Sequence, residues 1–275
     1  MKNNFKQRVL TSIVFVIVLI GGTILHSSAL FVIFSTIVVV GMLEFYKIAK
    51  KAQHKPQIIS GLIFGLYVLV TNFLIAANLA GKIFYFSYIP FVALFMIIEL
   101  FRQNTNPFSN VAVTLMGAIY VSMPFGLLSY LVFYPPFGNN YNPSFLIAYF
   151  FLMWANDSGA YIVGSLIGKH KLFERISPKK TWEGFFGGAF SALLAAWGIS
   201  RFLHELSLMH WMIVGSITSC FGTVGDLVES QLKRSIDIKD SGRILPGHGG
   251  ILDRFDSILF SAPIVFVYLM FFYEY

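Results

Sequence analysis

Charge is the scarcest thing in this chain of 275 residues. Only 12% are Asp, Glu, Lys or Arg, while 56% are hydrophobic and the mean hydropathy is +0.72. Ordinary soluble domains are about 45–50% apolar and about 25% charged. A core of this size cannot hide so much apolar side chain, 30 phenylalanines among it, so something other than water solvates the outside. That excludes a soluble enzyme, a disordered chain and a nucleic-acid-binding domain, the last despite a net charge of +7. Cysteine is nearly missing as well. Cys220 is the single one, which rules out an internal disulfide framework and a zinc-thiolate cluster. Repeats, coiled-coil heptads and soluble domains are also lacking.

What is present is a series of long apolar runs. A membrane-spanning helix needs about 20 mostly apolar residues. Nine stretches qualify: 9–25, 29–46, 58–80, 83–101, 111–134, 144–167, 183–203, 208–230 and 251–273. The first two are short and joined through His26-Ser27-Ser28, which predicts a tight hairpin. The N-terminus has the charge and apolar run of a signal peptide. That run is long for one, and the chain returns directly to the membrane, so it reads as an uncleaved first span. The expected fold is an all-α integral membrane protein, a polytopic bundle of about nine transmembrane helices.

Basic residues orient it, because cytoplasmic loops collect Lys and Arg. With the N-terminus cytoplasmic, nine spans place 18 of the 20 Lys and Arg on the cytoplasmic side and leave only Lys82 and Arg201 outside. The external loop 135–143 is uncharged and turn-forming. Residues 1–143 read as plain hydrophobic spans, a scaffold with a role in lipid access or dimer contacts. Residues 144–275 carry nearly all the unusual polar chemistry, with cytoplasmic loops 168–182 and 231–250.

A carboxylate at mid-bilayer costs about 2.5–3.5 kcal/mol on insertion scales, so acids within spans mark function by default. Asp157 lies inside the sixth span. Asp226 and Glu229 lie near the cytoplasmic end of the eighth, and Asp253 and Asp256 open the ninth. Glu44 and Glu99 also sit near cytoplasmic ends, without polar company, and read as snorkelling or locally paired. Asp253 and Asp256, three apart, share a helix face. A helix-dipole role would explain that pair alone, but Asp226 lies at the same membrane face, and three carboxylates at one depth suit a hard cation, Mg²⁺ above all.

The loops 168–182 and 231–250 interleave Lys and Arg with Ser, Thr, Gly and His. Positive-inside topology explains cytoplasmic cations in general, but this mixture is phosphate-binding chemistry: charge plus backbone N–H groups that approach closely. The Pro246-Gly247-His248-Gly249-Gly250 turn stands three residues before Asp253. Gly164 to His170 imitates a P-loop but has the wrong glycine spacing and no Ser or Thr after the lysine. His26, His54, His204 and His210 have no metal-ligand company, and no Ser-His-Asp constellation can be argued.

The run Ser230-Gln-Leu-Lys233-Arg234-Ser-Ile-Asp-Ile-Lys239-Asp240-Ser-Gly242-Arg-Ile-Leu245-Pro246-Gly-His248-Gly249-Gly250-Ile-Leu-Asp253-Arg254-Phe-Asp256 resembles the signature of phosphatidate cytidylyltransferases, also called CDP-diacylglycerol synthases. Every fixed position of that pattern is filled over 27 residues. Two further stretches are family-like: Asn156 to Tyr161, and Ile176-Ser177-Pro178-Lys179-Lys180-Thr181-Trp182-Glu183-Gly184. The resemblance is detailed over about 150–260 and only topological over 1–143. It implies that CTP and phosphatidic acid become CDP-diacylglycerol and pyrophosphate in phospholipid biosynthesis. It also implies Mg²⁺ dependence, a homodimer, and an active site on the cytoplasmic face of a bacterial inner membrane.

Within that resemblance, Asp226, Asp253 and Asp256 are the expected metal ligands, and a second cation, including a monovalent one, is compatible with so many carboxylates. Lys239 is assigned with them to catalysis. Lys233, Arg234 and Arg254 are candidates for the triphosphate or lipid phosphate, and Ser177, Lys179, Lys180, Thr181 and Glu183 for another wall of the nucleotide pocket. Asp157, Asp240 and His248 complete the substrate-binding set, His248 as a donor to phosphate rather than a base. The rival readings are a membrane lipid-alcohol kinase using a nucleoside triphosphate, which shares Pro-Lys-Lys-Thr-type stretches, and a cation-coupled transporter. The transporter needs acids at mid-membrane with access from both sides, whereas six of the seven acids named here lie toward one face.

Overall fold

The computed structural model describes residues 2–133, 140–242, 244 and 249–272, with the backbone alone for residues 2–10. It is a nearly all-helical polytopic membrane protein. Ten α-helices run α1 Lys2–Leu25, α2 Ser27–Lys51, α3 Ile58–Ala76, α4 Tyr88–Arg102, α5 Pro107–Gly117, α6 Met123–Val132, α7 Ser144–Ile167, α8 Trp182–Ile199, α9 Leu208–Arg234 and α10 Leu252–Phe272. Among the described residues, each of the nine expected apolar stretches is mostly helical. Seven helices among them, counting Lys82–Arg102 and Pro107–Val132 as one each, are long and apolar enough to cross a membrane. In α1 the qualifying apolar part is shorter, Thr11–Leu25. The 18 residues of α8 include Glu183, two tryptophans and four glycines, which hold it outside the seven.

Two details follow from local chemistry. The α1–α2 hairpin turns on a single residue, His26, whose Nδ1 accepts the Ser28 N–H at 3.2 Å and so caps α2. The fifth expected span is one helical run broken by a π segment, Ala118–Ser122, just before Pro124. Proline lacks the N–H that the helix ladder needs and crowds the preceding turn, and local widening accommodates it.

The chain forms two compact units, and they are not simply the segments 1–143 and 144–275. Unit 1 is Met1–Asn142 with Ser235–Arg254, and unit 2 is Pro143–Arg234 with Phe255–Tyr275. Most of the basic loop 231–250 therefore belongs with the N-terminal helices. In unit 1, α3 packs against α2, α6 and the π segment. Phe34, Val38, Met42, Leu69 and Phe125 are fully or almost fully buried there.

In unit 2 the contact of α7 with α8 is the most extensive of the fold, and α8 in turn packs on α9. Small residues make it close. A Cβ on Gly164 would stand 3.4 Å from the Gly184 Cα, and one on Gly188 would crowd the Asn156 carbonyl at 2.8 Å. Between helices in a membrane, where burial from water is not the driving force, such close backbone approach supplies the packing energy. A short antiparallel hairpin that the hydropathy pattern did not predict, β1 Lys171–Phe173 and β2 Ser177–Thr181, fills the loop ahead of α8.

Candidate active site

In unit 2, the hairpin delivers its lysines directly to the start of a helix. Strand β2 ends at Thr181, and α8 begins at the next residue. The Thr181 side chain is buried and its Oγ1 accepts the Gly184 N–H at 3.1 Å, a helix N-cap. Glu183, in the first turn, accepts the Lys169 N–H at 3.1 Å and the His170 N–H at 3.2 Å, and pairs with the His170 ring. It thus ties the beginning of the 168–182 loop to its end. Along β2, Ser177 is partly buried, Lys179 exposed, Lys180 partly buried and Thr181 buried.

Lys180 points to α9. Its Nζ lies 2.7 Å from Asp226 Oδ2. On α9, the residues Asp226, Glu229, Ser230 and Lys233 recur at helical spacing and form one polar stripe. Ser230 Oγ donates to Asp226 Oδ1 at 3.1 Å, and Lys233 Nζ donates to Glu229 Oε2 at 2.6 Å. Asp256, from the α10 portion of this unit, lies within electrostatic reach of Asp226, Glu229 and Lys180. Gly225 makes that possible, because any Cβ there would strike the Asp256 carbonyl. Asp226, Asp256 and Lys180 are therefore gathered from α9, α10 and β2. Lys233 is buried in its pair with Glu229, a partner that sequence reasoning noted as an acid but did not pair. Arg234 is exposed at the end of α9, and Asp157 is exposed along α7 beside the Asn156 amide, 3.4 Å away.

Unit 1 holds the other half of the signature. The Asp253 carboxylate accepts the Ser241 N–H at 2.9 Å, the Ser241 hydroxyl at 3.0 Å and the Gly250 N–H at 2.7 Å. Gly249 takes a left-handed conformation, φ 86°, and a Cβ on it would collide with Asp253. Both facts call for glycine. Lys239, Asp240 and Arg254 are exposed. His248 lies outside the described residues.

Among the described residues, no group of three or more His, Cys, Asp or Glu side chains is arranged to hold a metal ion. The donor chemistry in unit 2 nevertheless fits a hard cation. Asp226 and Asp256 offer carboxylate oxygens, and an ammonium is already seated 2.7 Å from one of them.

The meeting of Lys180, from the Ser-Pro-Lys-Lys-Thr strand, with Asp226 and Asp256 agrees with a comparison of the whole chain to known families. The model of the cytidylyltransferase family matches residues 6–272. The chain belongs to that family. Among its curated members, the phosphatidate cytidylyltransferase of Bacillus subtilis is 34% identical over 278 residues, covering 98% of this chain and 99% of that protein. Those of Staphylococcus aureus and Staphylococcus epidermidis are 42% and 43% identical over 170 residues, 61% of this chain and 62% of theirs. Family membership over nearly the full length extends the likeness into the first 143 residues, where the sequence showed only a topology.

Proposed function

We propose that this protein is a phosphatidate cytidylyltransferase: it transfers the cytidylyl group of CTP to phosphatidic acid, releasing pyrophosphate and leaving CDP-diacylglycerol. The observation that carries this reading is the Lys180–Asp226 contact, because it brings the family-like hairpin to an acid of α9 that is itself bonded to Ser230, the first residue of the signature run. A lipid phosphate oxygen attacks the α-phosphorus of CTP in line, a new P–O bond forms, and the bond to the β-phosphate breaks. Both reactants are anions, so catalysis is mainly positioning and charge neutralisation. The nucleophile is a phosphate monoester with a second pKa near about 6, so no dedicated base is needed.

Asp226, Asp253 and Asp256 are proposed as Mg²⁺ ligands, the sequence being the ground for grouping all three. Mg²⁺ held there would neutralise phosphate charge and orient the triphosphate. Lys179 and Lys180 bring the hairpin's positive charge to the nucleotide, and Thr181 and Glu183 hold that hairpin in register with α8. Lys239, Arg234 and Arg254, all exposed, are proposed to contact phosphate oxygens. A cytoplasmic site in a bacterial inner membrane and a homodimer belong to the same proposal. Incubating purified protein with radiolabelled CTP, phosphatidic acid and Mg²⁺ tests it. A labelled CDP-lipid is expected. Phosphate transfer to a lipid alcohol instead would favour the kinase reading, and neither product would refute the enzyme reading altogether.

A further inference from the structure

Glu44 is one of two acids near helix ends that the sequence reads as snorkelling or locally paired, and the structure gives it long-range partners. It comes from the last third of α2 and is 4% exposed. Its Oε2 accepts the Ser241 hydroxyl at 3.1 Å and the Leu252 N–H at 3.0 Å. Both partners lie in the signature segment, and all three residues lie in unit 1. The glycines on either side repeat the message. A Cβ on Gly242 or on Gly250 would run into the Glu44 carboxylate. The segment therefore wraps this side chain closely enough that only glycine fits at two points.

Ser241 links Glu44 to Asp253. Its hydroxyl stands 3.1 Å from Glu44 Oε2 and 3.0 Å from Asp253 Oδ2. A hydroxyl has one proton, so it donates to one carboxylate at a time, and the two acids are held against the same small group. The Ser241 and Gly250 N–H groups complete the grip on Asp253. A buried carboxylate kept in a membrane helix is costly unless its bonds repay it, and here they run to the segment that positions Asp253.

We infer that Glu44 is a positioning residue for the signature segment: through Ser241 and the Leu252 amide it sets where Asp253 stands. It touches no substrate in this account. The inference rests on the cytidylyltransferase reading for its catalytic consequence, and on hydrogen bonds alone for its structural part.

Three variants test it: Glu44→Ala, Glu44→Gln and Ser241→Ala. Glutamine keeps an oxygen that can accept from both Ser241 and Leu252, whereas alanine leaves the Leu252 N–H unmet and Ser241 with Asp253 alone. Glu44→Ala should lower kcat about tenfold to a hundredfold, the loss of hydrogen bonds to a charged group, and raise the Mg²⁺ concentration for half-maximal activity. The KM for CTP should hardly move. Glu44→Gln should recover most of the rate. Ser241→Ala should show a smaller loss of the same kind, and if Glu44→Ala does not fold, Ser241→Ala decides on the same criteria.

Backbone hydrogen exchange of a peptide covering Ser241 to Phe255 supplies a readout independent of turnover. It should quicken in Glu44→Ala, at Leu252 first, and return toward wild type in Glu44→Gln. Wild-type activity with unchanged kinetics and exchange in Glu44→Ala overturns the inference. So does a loss of activity that merely tracks a lower melting temperature with a normal Mg²⁺ response. A wild-type protein that makes no CDP-lipid counts against the proposed function instead, and the exchange arm still decides whether Glu44 holds the segment.

Discussion

Replacing Asp226 with asparagine separates a catalytic carboxylate from a structural one. Asparagine keeps the shape, but its single amide oxygen replaces two acceptors: it can accept from Lys180 Nζ, now 2.7 Å from Oδ2, while its NH2 takes the place of Oδ1 and can donate to the Ser230 hydroxyl, now 3.1 Å away. The charge and one acceptor are lost, and the packing is kept. The Lys180 and Asp226 side chains are 26% and 34% exposed. A pair this open to solvent contributes only about 0.2–1 kcal/mol to stability. Removing the negative charge also relieves repulsion from Asp256, which lies within reach. The net change in folding should therefore be small, a shift of about 2–4 °C or less in the melting temperature in detergent. Turnover should behave differently. An electrostatic contact made to developing phosphate charge is worth about 2.7–4 kcal/mol in the transition state, so Asp226→Asn should be about 10²–10³ slower. The assay is CDP-diacylglycerol formation in mixed micelles across a Mg²⁺ titration, with thermal unfolding measured on the same preparation. Near-normal turnover of Asp226→Asn at low Mg²⁺ would falsify the reasoning and leave Asp226 as the partner of Lys180 alone.

Lys179→Ala and Lys180→Ala should each raise the KM for CTP or lower kcat, with the larger effect at Lys180, which is already seated beside Asp226; wild-type kinetics in both folded variants would remove the hairpin from the site. Thr181→Ala deletes the N-cap of α8 and should cost about 0.5–2 kcal/mol of stability, read by thermal unfolding, with little direct effect on chemistry in the protein that remains folded. Single cysteines introduced as Lys51→Cys, Lys180→Cys and Asn140→Cys on a Cys220→Ser background should label from the cytoplasmic side at the first two positions and from the outside at the third. Labelling of positions 51 and 180 from opposite sides would sink the proposed topology.

The helices themselves were legible in the sequence, because a lipid solvent imposes one simple rule. Every backbone polar group in the hydrocarbon must be bonded within its own segment, so about 20 apolar residues become a helix wherever they occur. The family was legible too, since the run from Ser230 to Asp256 and the Ser177–Thr181 stretch are local patterns read residue by residue. The hairpin β1–β2 was not predicted: its strands are three and five residues long, basic rather than alternating, and depend on Trp182 and Glu183 bonding back to His170. Partners far apart in sequence were beyond reach for a physical reason. Ion pairs and hydrogen bonds follow distance in space, and hydropathy carries no information on which acid will meet which donor. Lys180 finds Asp226 only once β2 and α9 are folded in one unit. Glu44 looks like a lone acid at a helix end until the chain returns, 197 residues later, with Ser241. Composition and spacing decided that this is a membrane protein of helices bearing a phosphate-type signature. Tertiary structure alone decided that an acid of the scaffold holds that signature in place, because the bonds that do it join residues that only folding makes neighbours.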